Sequence, residues 1–192
     1  YFDEIPKGAE IKPLKKQNVT LTETKKLYHE DNFARLPQLT MAWPSIHEYH
    51  KDAYALEVLL EYLSNGKKAP LQRVLVEDKK LTDRVRMYNY GAELTGQVML
   101  SVNAFGNTNL NDVASGIDEA FKLFESEGIS ESDLKRIKAQ QETNFYSGLS
   151  SVLGKGFQLA QYQIFAGNPG YINEDIKQIL AVKTDDVMRV YN

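Results

Sequence analysis

Apolar and polar residues alternate in the first part of the chain, with the period of two that is typical of half-buried β-strands. The alternation begins in residues 18–30, where β-branched residues are frequent, and it predicts a first strand there. A second strand is predicted where Leu39, Met41 and Trp43 occupy every other position, and we expect Pro44 to end it.

The same alternation returns in the middle of the chain as a pair of runs. One run covers residues 85–89 and the other covers residues 98–104. The connection between them is short and is bracketed by Gly91 and Gly96. Two alternating runs joined by a glycine-containing turn predict a β-hairpin.

Between the two pairs of strands, the apolar period changes to that of an amphipathic helix. From Ser45 onward, the apolar residues from Ala53 to Leu63 fall on one helical face, and Asn65-Gly66 is expected to close this helix. A shorter helix is predicted after Pro70.

Beyond residue 107 every predicted element is a helix. An apolar stripe from Val113 to Phe124 predicts a helix that stops at Gly128. Ser130 and Asp133 then resemble a capping box, with Asp in the usual Glu or Gln position, and predict a long helix that ends near residue 149.

The last part of the chain completes the predicted architecture. Gly154, Gly156 and a turn at residues 167–170 are expected to punctuate two more helices, and a short final helix opens at Thr184. The order of elements predicts an α+β fold: a two-layer sandwich with a mostly antiparallel sheet packed against helices, and a helical C-terminal half.

The length and composition favour one globular domain. Residues 6–17 contain two prolines, a glycine and four lysines, so we expect residues 1–17 to be a linker from a preceding domain and residues 18–192 to be a single domain. The net charge of −3 argues against a nucleic-acid-binding platform. No apolar run approaches the roughly 18–20 residues that a membrane span needs.

Motifs for hydrolytic chemistry are missing from the sequence. The chain has no cysteine, which excludes thiolate zinc sites and cysteine nucleophiles. Neither His-Glu-x-x-His nor His-x-x-Glu-His occurs, and neither does Gly-x-Ser-x-Gly. His47 and His50 could share a helix face as a weak two-point metal site, but a solvated helix start is the simpler interpretation. We therefore predict no catalytic, cofactor-binding or metal-binding residue in this chain.

One cluster of side chains suits peptide binding. Arg84, Arg86, Tyr88 and Tyr90 occupy alternate positions, so they are expected on one face of a strand. They could line a peptide groove, or they could be ordinary packing or solvent-covering residues.

Several segments, read in order, resemble the homology domains of insulinase/pitrilysin-type zinc metallopeptidases. Residues 37–43 and 52–63 resemble the family's strand followed by a helix, and residues 69–77 are similar to its arginine-containing second helix. Residues 128–138 are similar to its Gly-Val-Ser/Thr-x-x-Glu-Leu-x-x-Ala-Lys helix opening, and residues 179–187 to its Ile-x-x-Val-Thr-x-x-Asp-Val close. The resemblance covers residues 17–192, and residues 1–6 resemble the tail of a preceding domain in such chains.

The sequence departs from the catalytic members of that family. The family's zinc ligands and general base lie in a His-x-x-Glu-His motif that is absent here. The family's substrate-binding Arg and Tyr, seven residues apart, align with Val76 and Asp83. The resemblance therefore implies a non-catalytic homology domain rather than a catalytic or substrate-polarising one.

The resemblance also implies a role and partners. The expected function is to cradle unfolded peptide as part of the wall of a protease chamber, with the catalytic and other homology domains as partners and with zinc in the catalytic domain of the parent protein. The alternative is a stand-alone inactive partner or assembly subunit that binds an active peptidase or a peptide. The resemblance makes a bacterial periplasmic or cell-envelope parent conceivable, and no residue here decides the compartment.

Overall fold

The computed structural model describes residues 3–12, 14–15 and 19–192. Its regular elements begin at residue 38. The strands are β1 (Gln38–Ser45), β2 (Thr82–Gly91) and β3 (Gly96–Ala104). The α-helices are α1 (Ala53–Ser64), α2 (Pro70–Gln72), α3 (Leu110–Glu127), α4 (Glu131–Gly148), α5 (Val152–Gln161), α6 (Ile172–Ala181) and α7 (Thr184–Tyr191). Two of them continue in π-helical geometry, α2 through Arg73–Asp78 and α5 through Tyr162–Ala166, and a 3₁₀ turn covers Pro169–Tyr171.

The three strands form an antiparallel sheet in the order β1-β3-β2. The predicted hairpin is confirmed, since β2 and β3 pair from Gly91 and Gly96 outward. The register shifts between Thr82 and Val85, where one strand bulges. Since β3 is central, β1 and β2 each keep one edge that no described strand pairs with.

The inner face of the sheet packs on α1 and α3, as the two-layer prediction requires. Leu100 and Val102 from β3 are fully buried, and so are Val58 of α1 and Ile117 of α3. Trp43 of β1 completes this layer through an edge-on contact with Phe121, with ring centroids 6.4 Å apart. Apolar alternation on the strands and an apolar stripe on each helix together build this core.

The helix ends also follow the sequence. Ser130 caps α4, because its hydroxyl accepts a hydrogen bond from the backbone N–H of Asp133 at 3.1 Å. In return the Asp133 carboxylate accepts from the Ser130 hydroxyl at 2.6 Å. Gly128 ends α3 with φ 67°, a left-handed conformation that glycine adopts without steric cost. None of the described helices is both long enough and apolar enough to cross a membrane.

The predicted strand at residues 18–30 is wrong. Residues 19–30 form no strand, and their apolar side chains are exposed: Val19 by 52%, Leu21 by 51% and Leu27 by 98%. Alternation stabilises a strand when a neighbouring strand accepts its backbone hydrogen bonds and a core covers one face. Residues 19–30 have neither within the described part of the chain. Asn18 lies outside the described residues.

Smaller differences concern proline and glycine. Pro44 does not end β1, which continues to Ser45; proline is tolerated there because β1 is an edge strand. Gly154 and Gly156 lie inside α5 rather than between helices. In the predicted linker, residues 3–12 and 14–15 are exposed and have no helix or strand, while Tyr1, Phe2, Pro13, Lys16 and Gln17 lie outside the described residues.

Candidate functional site

The described helices leave the outer face of the sheet uncovered. Its twelve residues alternate with the buried ones on all three strands, and most are exposed. They are Gln38, Thr40, Ala42 and Pro44 on β1, Gln97, Met99, Ser101 and Asn103 on β3, and Arg84, Arg86, Tyr88 and Tyr90 on β2. Because the other face of the sheet carries the core, this is the face on which an extended ligand can lie across all three strands.

The four residues singled out in the sequence come together on this face. Arg86 pairs with Ser101 on β3, Tyr88 with Met99, and Tyr90 with Gln97. The two rings are well exposed, Tyr88 by 49% and Tyr90 by 62%. From Arg84 to Tyr90 the row extends over about 20 Å at ~3.3 Å per residue, with the guanidinium groups at one end and the rings at the other.

The chemistry of this face suits an extended peptide. The two arginines are the charged groups among these twelve residues, and the exposed Asp83 lies beside Arg84 in the bulge. A guanidinium donates hydrogen bonds to carboxylates and backbone carbonyls, and a tyrosine ring offers a rigid apolar surface with a polar tip. Apart from Met99, the remaining side chains are small or carry amides and hydroxyls, as in the 2.9 Å hydrogen bond that the Gln38 amide donates to Ser101.

The two histidines considered as a metal site lie in the turn between β1 and α1, not on a helix. Their rings are 5.1 Å apart. His47 Nδ1 is 2.8 Å from the carbonyl oxygen of Glu48, and His50 Nδ1 accepts from the backbone N–H of Asp52 at 3.2 Å. Both Nδ1 atoms thus contact local groups of the turn. Across residues 3–12, 14–15 and 19–192, no three side chains of His, Cys, Asp or Glu gather as metal ligands.

A buried polar cluster that the sequence did not reveal joins α1 to the C-terminal helices. Asp175 on α6 is 8% exposed, and its carboxylate accepts hydrogen bonds from Tyr54 at 2.7 Å and from Tyr162 at 2.5 Å. The Tyr171 hydroxyl lies 3.2 Å from that of Tyr54, and the Tyr49 ring packs against Tyr162. Burial, together with hydrogen bonds to Asp175, raises the pKa of Tyr162 well above its usual 10.

The carboxylates around this cluster are also perturbed. Desolvation, reinforced by the negative charges of Glu48 and Asp175, raises the pKa of Glu57 to about 7. Burial and the charge of Asp175 raise the pKa of Glu48, partly opposed by His47. The sequence indicates only part of this cluster. Asp175 can be recognised as a charged residue on the inward face of α6, but its partner Tyr54 lies 121 positions away, and no local pattern connects them.

Comparison with protein families gives one match over most of the chain. The model described as the Peptidase M16 inactive domain matches residues 1–141. A curated relative, the zinc protease PqqE of Helicobacter pylori (strain ATCC 700392 / 26695), is 28% identical over 145 residues, which are 74% of this chain and 32% of that protein. The chain thus spans about a third of the length of this relative.

Solved structures agree with this match. A protease from Helicobacter pylori has a TM-score of 0.74 at 22% identity, over 83% of this chain and 38% of that one. The inactive peptidase domain of a zinc protease described from Bordetella parapertussis has a TM-score of 0.69 at 16% identity, over 79% of this chain and 82% of that one. At these identities, the likeness shows a common fold.

Proposed function

Because the chain belongs to the peptidase M16 inactive-domain family, we propose that it cradles unfolded peptide as part of the substrate chamber of a zinc-dependent endopeptidase. The α+β fold of its structural relatives and the resemblance read from the sequence agree with this membership. In this proposal residues 18–192 act as one non-catalytic domain, and residues 1–17 link it to a preceding domain.

The observation that carries the proposal is the uncovered outer face of the sheet. A chamber wall needs a broad surface with dispersed hydrogen-bonding groups, because an unfolded substrate presents mainly backbone and varied side chains. Arg84, Arg86, Tyr88 and Tyr90 provide charge-assisted donors and aromatic contacts on such a surface. A wall that binds and orients the peptide substrate near a reactive centre can lower the activation barrier for cleavage without itself making or breaking a bond.

The catalytic chemistry in this proposal belongs to a neighbouring domain. The curated relative is called a zinc protease and is about three times as long as the matched segment. We therefore place zinc and its activated water in the catalytic domain of the parent protein, with the other homology domains as partners of this one.

Peptide binding tests the role of the outer face. We would titrate the purified chain with a fluorescently labelled, unstructured peptide mixture and follow anisotropy. Reversing both charges in Arg84→Glu/Arg86→Glu should weaken binding by roughly tenfold or more, as expected for losing charge-assisted contacts. The matched control is Lys135→Glu/Lys155→Glu, which makes the same charge change at exposed positions on the helices. Equal weakening in both double variants would mean that net charge, not this face, drives binding.

Activity measurements test the non-catalytic part. The purified chain, supplied with zinc, should bind no stoichiometric metal and should leave an unfolded peptide mixture uncut. Cleavage that a chelator abolishes would refute the proposal and would direct attention to His47 and His50.

A further inference from the structure

A recess lies beside β2, between the sheet and the helices. It is a cavity of about 440 Å³ between α1, β2 and α4. Leu60, Met87 and Ile137 form its apolar part, and Tyr88 together with carboxylates and amides forms the rest. Its volume lies at the lower end of the range for small-molecule sites, so it suits a single side chain or a small ligand.

The charge of the cavity has one sign. Glu57 and Glu61 lie four residues apart on α1 and both line it, so the two carboxylates face the same side of the helix. Among the described residues, neither carboxylate forms an ion pair, and no lysine, arginine or histidine lines the cavity. Glu61 accepts a hydrogen bond from the Asn65 amide at 2.5 Å, whereas burial and the charges of Glu48 and Asp175 raise the pKa of Glu57. A bound cation would offset the cost of ionising Glu57.

An unsatisfied acceptor lies in the same wall. Asn89 occupies an inward position on β2 and lines the cavity, and its Oδ1 is buried without a hydrogen-bond partner among the described residues. A buried acceptor without a donor costs folding free energy, so such groups are rare in folded proteins. A ligand that donates N–H groups would satisfy it.

The amides of α4 extend this hydrogen-bonding wall. Gln140, Gln141 and Asn144 line the opposite side, and Gln140 donates to the Asn144 oxygen at 3.0 Å, which fixes that pair. Two carboxylates with several amides and an apolar floor do not form a metal-ligand set, because a divalent ion needs more oxygen ligands gathered closely. They do match a charged head with several N–H donors on a methylene stem.

We propose that this cavity binds the guanidinium or ammonium group of a basic amino-acid side chain. Glu57 and Glu61 pair with the charge, Asn89 Oδ1 accepts one N–H, and the methylene stem lies on Leu60, Met87 and Ile137. Of the outer-face residues Arg84, Arg86, Tyr88 and Tyr90, Tyr88 alone also lines the cavity, and binding of a basic side chain does not depend on the chamber-wall role.

The probe is arginine blocked as its N-acetyl amide, which resembles an arginine residue within a peptide. Its matched control is the N-acetyl amide of citrulline, which has nearly the same shape but no charge. We would titrate each into the ¹⁵N-labelled chain and follow amide shifts in β2, α1 and α4. The arginine derivative should bind at least tenfold more tightly than the citrulline derivative, and its shifts should centre on Asn89.

Variants separate charge from fold. Glu57→Gln/Glu61→Gln should weaken binding of the arginine derivative at least tenfold, while Glu93→Gln/Glu142→Gln, which removes two carboxylates elsewhere, should leave it unchanged. Asn89→Leu should weaken binding while raising the melting temperature, because it removes the unsatisfied acceptor. Equal binding of the two derivatives, shifts elsewhere in the chain, or undiminished binding by Glu57→Gln/Glu61→Gln would overturn the proposal. Arg84→Glu/Arg86→Glu should retain arginine binding, which distinguishes failure here from failure of the outer-face role.

Discussion

Removing one hydroxyl from the buried polar cluster should destabilise the whole domain. Tyr162 is fully buried, and its hydroxyl donates to the Asp175 carboxylate at 2.5 Å. Tyr162→Phe keeps the ring packed against Tyr49 and Tyr171 but leaves the carboxylate with Tyr54 as its remaining donor.

The size of the effect follows from the charge of the acceptor. A hydrogen bond to a charged group contributes about 1.5–3 kcal/mol, so we expect the free energy of unfolding to fall by about 2 kcal/mol. For a chain of this size, that corresponds to a melting temperature lower by about 4–8 °C. With an m-value of about 2 kcal/mol/M, the urea midpoint should fall by about 1 M.

Urea denaturation followed by circular dichroism measures this change. Tyr146→Phe is the control, since Tyr146 is 56% exposed and loses a hydroxyl that faces solvent. A loss below about 0.5 kcal/mol in Tyr162→Phe, similar to the control, would mean that the cluster contributes nothing beyond its packing. That result would refute the reasoning from burial and charge.

Three further outcomes follow from other features. Glu57 holds its proton more tightly in the folded state, because its pKa is about 7 there against an ordinary 4.5. The free energy of unfolding should therefore fall as pH rises from 4.5 to 7. Glu57→Gln should flatten this pH dependence, which urea titrations at several pH values measure. Ser130→Ala removes the α4 cap and should cost about 1 kcal/mol. Ser147→Ala, at an exposed position near the other end of α4, should cost far less in the same assay. Ile117→Ala should cost about 2–5 kcal/mol by calorimetry, because this fully buried side chain lies between α3 and the sheet; a cost below 1 kcal/mol would contradict that packing.

The elements that the sequence predicted well are those in which each face meets a different environment. Leu39, Met41 and Trp43 occupy every other position because one side of β1 meets α3. The pattern therefore predicts both the strand and the face that it turns toward the core. The same alternation predicts that Arg84, Arg86, Tyr88 and Tyr90 share one face of β2, as they do. Residues 19–30 show the limit of that logic, because alternation describes one strand and says nothing about whether a partner is present.

Features that depend on distant residues could not be predicted from local pattern. Asp175 joins Tyr54, 121 positions earlier, and no periodicity links the two residues. The cavity beside β2 falls between these cases. Asn89 follows Val85 and Met87 at an inward position, and a polar residue in such an apolar row can be recognised from the sequence. The sequence does not show that α1 and α4 form the other walls of the cavity.

The two outer edges of the sheet also bear on the behaviour of this domain in isolation. An edge strand displays a row of backbone N–H and C=O groups with which another extended chain can form hydrogen bonds. Because this three-stranded sheet has two such edges, further strands can be added on both sides. The bulge between Thr82 and Val85 twists one edge, and Pro44 removes one donor from the other. Between these interruptions, Thr40–Trp43 and Arg86–Gly91 are left as short templates, so self-association of the purified chain through these edges should increase with its concentration.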